Sequence, residues 1–339
     1  MLNCKKTRPS KQNVGRYPVP VAVLGLALSI VAMPRASHAQ PAYPTQPIKA
    51  IAMFPPGAGA DIRIRFYAKK LSELAKQPVV VENKTGAFGN IATEYVARSK
   101  PDGYTIYIAP TSSTHAASPH LFKKLPFDPI NDFEQITTLS RSTFILCVAG
   151  NAPYKTVPEL VAFLKAKGDA ASYATIAVPS LIAGELFKAA FGLSTVEIKY
   201  KDPAPFINEM LAGHTAFFFI DHNTAGAQIR SGAIRTLSLA SAKRLASSPE
   251  IPSAVEVGIP NLDLEIWWSV SVPAKTPQPI RDQLETWFNT IVADPESIAF
   301  NGNSGADPWL GNATLAREKL VADTKRWAEY ARIAKIEPQ

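Results

Sequence analysis

Cysteine is nearly absent: only Cys4 and Cys147 occur in 339 residues. A disulfide framework and a cysteine-based metal site are both excluded on that count. No apolar run beyond residue 40 reaches the roughly 18 residues that a membrane-crossing helix requires. Nucleotide signatures are missing too. There is no G-x-x-x-x-G-K-[ST] loop, and "GAGADI" (57–62) fails G-x-G-x-x-G because Ile62 holds the sixth place. "GNSGA" (302–306) lacks the final glycine of a nucleophile elbow. His115, His120, His214 and His222 never stand at i, i+4 to one another, so neither a metal nor another cofactor is expected. Charged residues make up only 19% of the chain against 46% hydrophobic, which excludes disorder and leaves material for sizeable cores.

What is present begins with a basic N-terminus. Lys5, Lys6, Arg8, Lys11 and Arg16 precede the apolar run "VAVLGLALSIVAM" (21–33), and Ser37 and Ala39 follow as a small-x-small site. This is the grammar of an export signal over residues 1–39, cleaved near Ala39. Cleavage would lower the formal charge from +8 to +2, so no nucleic-acid partner is expected and a periplasmic location is. Cys4 leaves with the signal, and Cys147 in "FILCVAG" reads as an inert buried thiol.

Beyond residue 40, strand and helix patterns alternate. "IKAIAMF", "PVVVENK" and "YTIYIAP" read as strands, with "ADIRIRFYAKKLSELAKQ" and "GAFGNIATEYVARSK" as helices between them. In the first helix Ile62, Phe66, Leu71 and Leu74 lie near helical spacing. A second α/β block starts near "TFILCVAG" (143–150), where Thr156 and Glu159 form a capping box and Gly192 ends a later helix. "LEIWWSVSVPAKTP" and two helices follow, the last with Leu320, Thr324, Trp327 and Ala331 on one face. That helix is expected to pack back on the first block. Alternating elements imply right-handed crossovers and a mostly parallel sheet.

In such sheets ligands bind beyond the carboxyl ends of the strands. The loops there are "PPGAGAD", "TGAFGN", "PTSSTH", "AVPS", "YKDPA" and "DHNTA". Gly57 and Gly59 allow close approach to the backbone, and the following helix start offers unpaired N–H groups and a favourable dipole for an anion. Thr111, Ser112 and Ser113 add neutral donors. The pattern predicts a carboxylate site without a buried Arg or Lys. Of Trp267 and Trp268, either could line a cleft; packing in a hinge core is the plainer reading for each.

"VENKTGAFGN" through "PDGYT", with "YPTQPIKAIAMFPPGAGAD", "LPFDPINDFEQIT", "AGELFK", "LASAKR" and "RWAEYARIAKIEP", resembles the extracytoplasmic substrate-binding proteins of tripartite tricarboxylate transporters, the Bug family. The resemblance runs from residue 43 to residue 338. It implies an α/β periplasmic binding-protein fold: two lobes joined by crossover strands, closing on a ligand in the cleft between them. Lobe 1 would comprise 40–142 plus 247–339 and lobe 2 would comprise 143–246. It also implies a carboxylate held at Phe54, Pro56, Gly57, Ala58, Gly59 and Asp61, with Thr111, Ser112, Ser113 and His115 beside it and Ser180 and Asp221 on the other lobe. The partners implied are a small carboxylate and membrane transporter subunits, with the receptor a monomer.

The chain departs from the family pattern. Ala58 and Ala60 replace a glycine and a threonine in the first loop. The loop before "AGELF" is shorter, Leu181 stands where a histidine is usual, Pro179 has no N–H, and Asp202 stands where glycine is frequent. The site nearest the first strand is retained while the distal one is more apolar. The expected ligand therefore has one carboxylate and an apolar or aromatic remainder. A sensor for a membrane signalling partner is an alternative role. A secreted α/β hydrolase using Ser112 or Asp61, with His115 as base, is a weaker one.

Overall fold

The computed structural model describes residues 43–200 and 203–338, with Gly15 besides. The export segment 1–39 apart from Gly15, with Cys4 in it, and Asp202 lie outside the described residues. The alternating pattern of the first block folds as written: β1 (Ile48–Ala52), α1 (Gly59–Ala75), β2 (Val79–Asn83), α2 (Asn90–Ala97) and β3 (Thr105–Pro110). β1 pairs in parallel with β2 on one side and β3 on the other. β3 is buried at every position, which is why it reads as a continuous apolar run rather than an alternation.

The inward face of α1 differs from expectation. Ile62 is 52% exposed and Leu74 is also exposed, while Asp61, Arg63, Ile64, Tyr67, Ala68, Leu71 and Ala75 are buried. The helix is rotated because its first turn is fixed by Asp61, whose carboxylate reaches back to the Gly57 N–H. After β3 the "PTSSTH" segment is not a loop. It forms a wide helical turn over Ser112–Ala117 that runs into α3 (Ser118–Leu121).

β4 (Phe133–Ala149) is a single strand of 17 residues. It runs unbroken through residue 143, where the sequence pattern suggests a new block. The polar run Ser140–Arg141–Ser142 interrupts the apolar periodicity there without interrupting the strand. The second half follows: α4 (Val157–Lys167), β5 (Ser172–Thr175), α5 (Val178–Phe191), β6 (Val196–Lys199), α6 (Pro203–Leu211), β7 (Phe217–Asp221), α7 (His222–Arg230) and β8 (Ile234–Leu239). The Thr156 hydroxyl caps α4 as expected, and the Glu159 carboxylate accepts from the Lys155 N–H. The chain returns through β9 (Glu265–Pro273), α8 (Gln278–Ala293), α9 (Pro295–Asn303), the short β10 (Asp307–Pro308) and α10 (Ala313–Ile333).

The sheet order is β2-β1-β3-β9-β4-β7-β5-β6, with β8 and β10 also on β4. β4 pairs with β9 up to Thr143, then with β7 and β8 from Phe144 onward. One strand thus belongs to both halves. The first half packs its core between the sheet and α1 and α8, where Leu71, Trp268, Leu284 and Phe288 meet. Cys147 is buried in a core of the second half, and burial pushes its thiol up, far from any reactive range.

α10 packs more broadly than on the first half alone. Its Leu320, Trp327 and Tyr330 share one core with Ala116 and Ala117 and with Ile182 and Phe187 of α5. Burying each large apolar side chain contributes on the order of 1.5–3 kcal/mol. Leu320 and Trp327 face inward as the pattern predicts, with Asp323 between them. That carboxylate accepts the buried Trp267 indole N–H at 2.7 Å and the Lys319 ammonium at 2.8 Å. Asp323→Ala leaves the indole donor unpaired and is expected to lower stability by about 2–3 kcal/mol, with Asp323→Asn costing less, as read by urea denaturation.

Candidate functional site

A cleft of about 450 Å³ lies at the carboxyl end of β1, between the two halves. From the first half, Phe54, Gly59, Ala60, Arg63, Pro110, Ser113 and Trp268 line it. From the second half come Pro179, Asp221 and Thr224, and the crossover strands add Ser142, Phe144 and Ile266. Its size falls within the range of about 300–1,000 Å³ typical of small-molecule sites. A wider groove of about 1000 Å³, bordered by Lys49, Lys84, Arg98 and Tyr104, takes in the starts of β1 and β3 instead.

The loop leading into α1 is built around Asp61. Its carboxylate accepts from the Gly57 N–H at 2.8 Å, Arg65 Nε at 2.8 Å and Asn83 Nδ2 at 2.7 Å, and Asn83 also donates to the Phe54 carbonyl. Burial opposes ionisation of Asp61, but the Arg65, Gly57 and Asn83 donors together outweigh it and hold the carboxyl below its usual range. Gly57 has φ +82°, a conformation that side-chain-bearing residues rarely adopt. Gly59 opens α1 with nothing near its missing Cβ. The first-turn N–H groups of Gly59 and Ala60 have no intrahelical acceptor and belong to residues on the cleft wall.

Of the residues expected at the site, Phe54, Gly59, Ser113 and Asp221 line the cleft. Pro56 and Gly57 are exposed on the loop and Ala58 is half-buried. Asp61 holds the loop from behind. Thr111 is buried and pairs with Ser269 Oγ, which donates to Gln135 Oε1 at 2.9 Å. Ser112 Oγ is buried and accepts from the Trp267 N–H at 3.3 Å. Ser180 Oγ ties down the start of α5, accepting from the Ile176 and Ala177 N–H groups. Asp221 caps α7, accepting from the Thr224 N–H at 3.0 Å and its hydroxyl at 2.7 Å.

His115 belongs to the core. It stands edge-on to Phe133, its Nδ1 pairs with Thr114 Oγ1 at 2.8 Å, and its Nε2 has no partner among the described residues. The Ser112–His115 pair that a hydrolase would need is not formed. Burial lowers the imidazole pKa to about 3. Among the described residues no cluster of three or more His, Cys, Asp or Glu could hold a metal.

The two tryptophans divide their tasks because neighbours on a strand face opposite ways. Trp267 is fully buried against α10, while Trp268 faces the cleft and stacks on Phe54 at 6.0 Å. Over Trp268 lies the residue that sequence reasoning missed. Arg63 is buried to 4% exposure, with its Cζ 5.4 Å from the Trp268 centroid and 5.9 Å from that of Phe300. Its Nη1 donates to Ser140 Oγ at 3.0 Å and Asn301 Oδ1 at 2.7 Å, and its Nη2 donates to Ser304 Oγ at 2.9 Å. The expectation of a site without a buried cation is therefore corrected. The available signal was position: Arg63 is four residues after Gly59 and so shares its helix face.

Residues 64–336 match the family model of the tripartite tricarboxylate transporter family receptor. The chain belongs to that family. Among curated relatives of this receptor, BugT of Bordetella pertussis is 27% identical over 92% of this chain and 96% of its own. Among solved structures, the periplasmic binding protein BugD is 28% identical with a TM-score of 0.72, covering 88% of this chain and 100% of that one. R. palustris Rpa4515, solved with adipate, is 27% identical with a TM-score of 0.76, again over 88% and 100%. The receptor accordingly has the two-lobed α/β fold of periplasmic binding proteins. Among its described residues no helix is long and apolar enough to cross a membrane.

His115 gives a pH prediction for the receptor. It is neutral when folded, and the unfolded chain takes up its proton near pH 6.5, so the unfolded state binds more protons below that value. Its contribution is intact above pH 6.5 and is lost as pH falls toward about 3. The slope approaches about 1.4 kcal/mol per pH unit. Denaturation at pH 7 and pH 5 should show the loss, and His115→Gln should flatten it. Separately, Asp61→Ala should loosen the Pro55–Ala60 turn, seen as faster amide exchange at Gly57 and Ala58.

Proposed function

We propose that this receptor is exported by its first 39 residues, works as a monomer in the periplasm, and hands a small organic carboxylate to a membrane transporter. Lobe 1 (40–142 with 247–339) and lobe 2 (143–246) close over the ligand by flexing where β4 passes from β9 to β7. The observation that carries the reading is the cleft itself. It sits on the crossover strands, with the open amide edge of α1 on one side and Asp221 and Thr224 on the other.

Gly59, Ala60 and Ser113 receive the carboxylate, while Phe54, Phe144, Ile266 and Trp268 pack around its body. Asp61, Thr111, Ser112 and Ser180 shape the walls without touching the ligand. Closure excludes water, which strengthens the amide–carboxylate bonds in a drier site. The adipate bound by Rpa4515 supports a carboxylate as cargo. The Pro179 wall has no N–H to give a second carboxylate, which favours one acid group and an apolar or aromatic remainder.

A thermal-shift panel of mono-, di- and tricarboxylates, run on refolded protein free of co-purified ligand, tests this. A true ligand at 100 times its dissociation constant should stabilise by about 2.7 kcal/mol, with an aromatic or long-chain monocarboxylate ahead of citrate. Absence of any shift across the panel would overturn the carboxylate reading. Citrate ahead of every monocarboxylate would overturn the single-acid reading alone.

A further inference from the structure

Arg63 is a fixed positive charge taken out of water; its hydrogen-bond partners are neutral, and the carboxylate that favours its charge, Asp221 on the opposite wall, does so from beyond ion-pair distance. Its three acceptors, Ser140, Asn301 and Ser304, are all uncharged. Among the described residues no carboxylate lies within the 4.0 Å of an ion pair. A guanidinium has five N–H donors, and three are used. Among the described residues, the Nε–H and one Nη2 hydrogen have no protein acceptor. Burying a charge without a contacting counter-ion is costly, so proteins pair such groups or leave them for a ligand. Arg63 lines the cleft one helical turn below the free amides of Gly59 and Ala60.

The same cleft carries one carboxylate of its own. Asp221 is half-buried, and its oxygens are only partly engaged in capping α7. A ligand reaching from α1 to that wall meets a cation at one end and an anion at the other. We propose that Arg63 and Asp221 set the polarity of the ligand: its one carboxylate docks on the Nε/Nη2 edge of Arg63, and its far end carries a hydrogen-bond donor, an amine or hydroxyl, toward Asp221. The chemical class is a zwitterionic or hydroxylated monocarboxylic acid with a flat or apolar body lying against Trp268. A second carboxylate at the far end would face Asp221 and be repelled.

This rests on the receptor reading, and one titration set separates the two. The protein is purified after export of the full chain, freed of ligand, and titrated calorimetrically at low salt with 4-(aminomethyl)benzoate, benzoate, terephthalate and benzamide. The zwitterion should bind at least about tenfold tighter than terephthalate, because a charged pair facing the right way contributes affinity and a like charge removes it. Arg63→Gln should weaken every carboxylate by about tenfold or more and leave benzamide unchanged, and Arg63→Lys should recover part of the loss. Asp221→Asn, which still caps α7, should erase the preference for the amine.

Circular dichroism and melting identify any variant that does not fold, in which case the wild-type and Asp221→Asn selectivities decide. Wild-type benzoate affinity in a folded Arg63→Gln variant overturns the role of Arg63 while the receptor reading stands. Terephthalate equal to the zwitterion overturns the polarity. No binding of these three acids by wild type overturns this inference; the receptor reading falls with it only when the wider carboxylate panel is silent too.

Discussion

The buried guanidinium of Arg63 is the constraint on which the cleft depends. It fastens α1 to β4 through Ser140 and to the α9 end through Asn301 and Ser304, while lying over the rings of Trp268 and Phe300. Asn301 continues the network to Tyr67, one turn further along α1. Four elements are thereby held under the cleft by one side chain. A neutral residue of similar size could fill the space, but it would not orient so many polar groups toward one point. The arrangement trades some stability for a charged floor that a ligand can complete.

Above that floor the sheet is organised by continuity rather than by separation. β4 is paired on both its halves, with β9 before Thr143 and with β7 and β8 after it. The cleft opens beside the point where the partners change, and Ser142 and Phe144 from that point line it. A strand that changes partners can bend there while keeping most of its hydrogen bonds. The lobe closure proposed above would have its place there. α10 restrains the same region from behind, because its Asp323 receives the indole of Trp267 on β9.

Much of this was legible in local sequence. The strand, glycine turn and helix start at residues 48–61 follow from neighbouring residues, as does the capping of α4 by Thr156. Of the residues the family resemblance pointed to, Phe54, Gly59, Ser113 and Asp221 line the cleft. Side-chain roles at longer range were not legible. The partners of Arg63 stand 77, 238 and 241 residues away, so nothing nearby marks it as a buried cation. The hydroxyls of Thr111 and Ser112 resembled ligand donors, yet the fold brings β9 against them and uses them within the core. The rotation of α1 has a local cause instead: apolar spacing favours Ile62, while the Asp61–Gly57 bond turns it outward.

The most direct measurement is a crystal structure of the receptor with a bound carboxylate, either co-purified or the tightest ligand found in solution. One carboxylate should lie within about 3 Å of the Arg63 Nε/Nη2 edge and of the Gly59 or Ala60 amides, with the ligand body against Trp268. A ligand whose carboxylate points to the Asp221 wall, or one seated in the outer groove by Lys49 and Lys84, would contradict that placement.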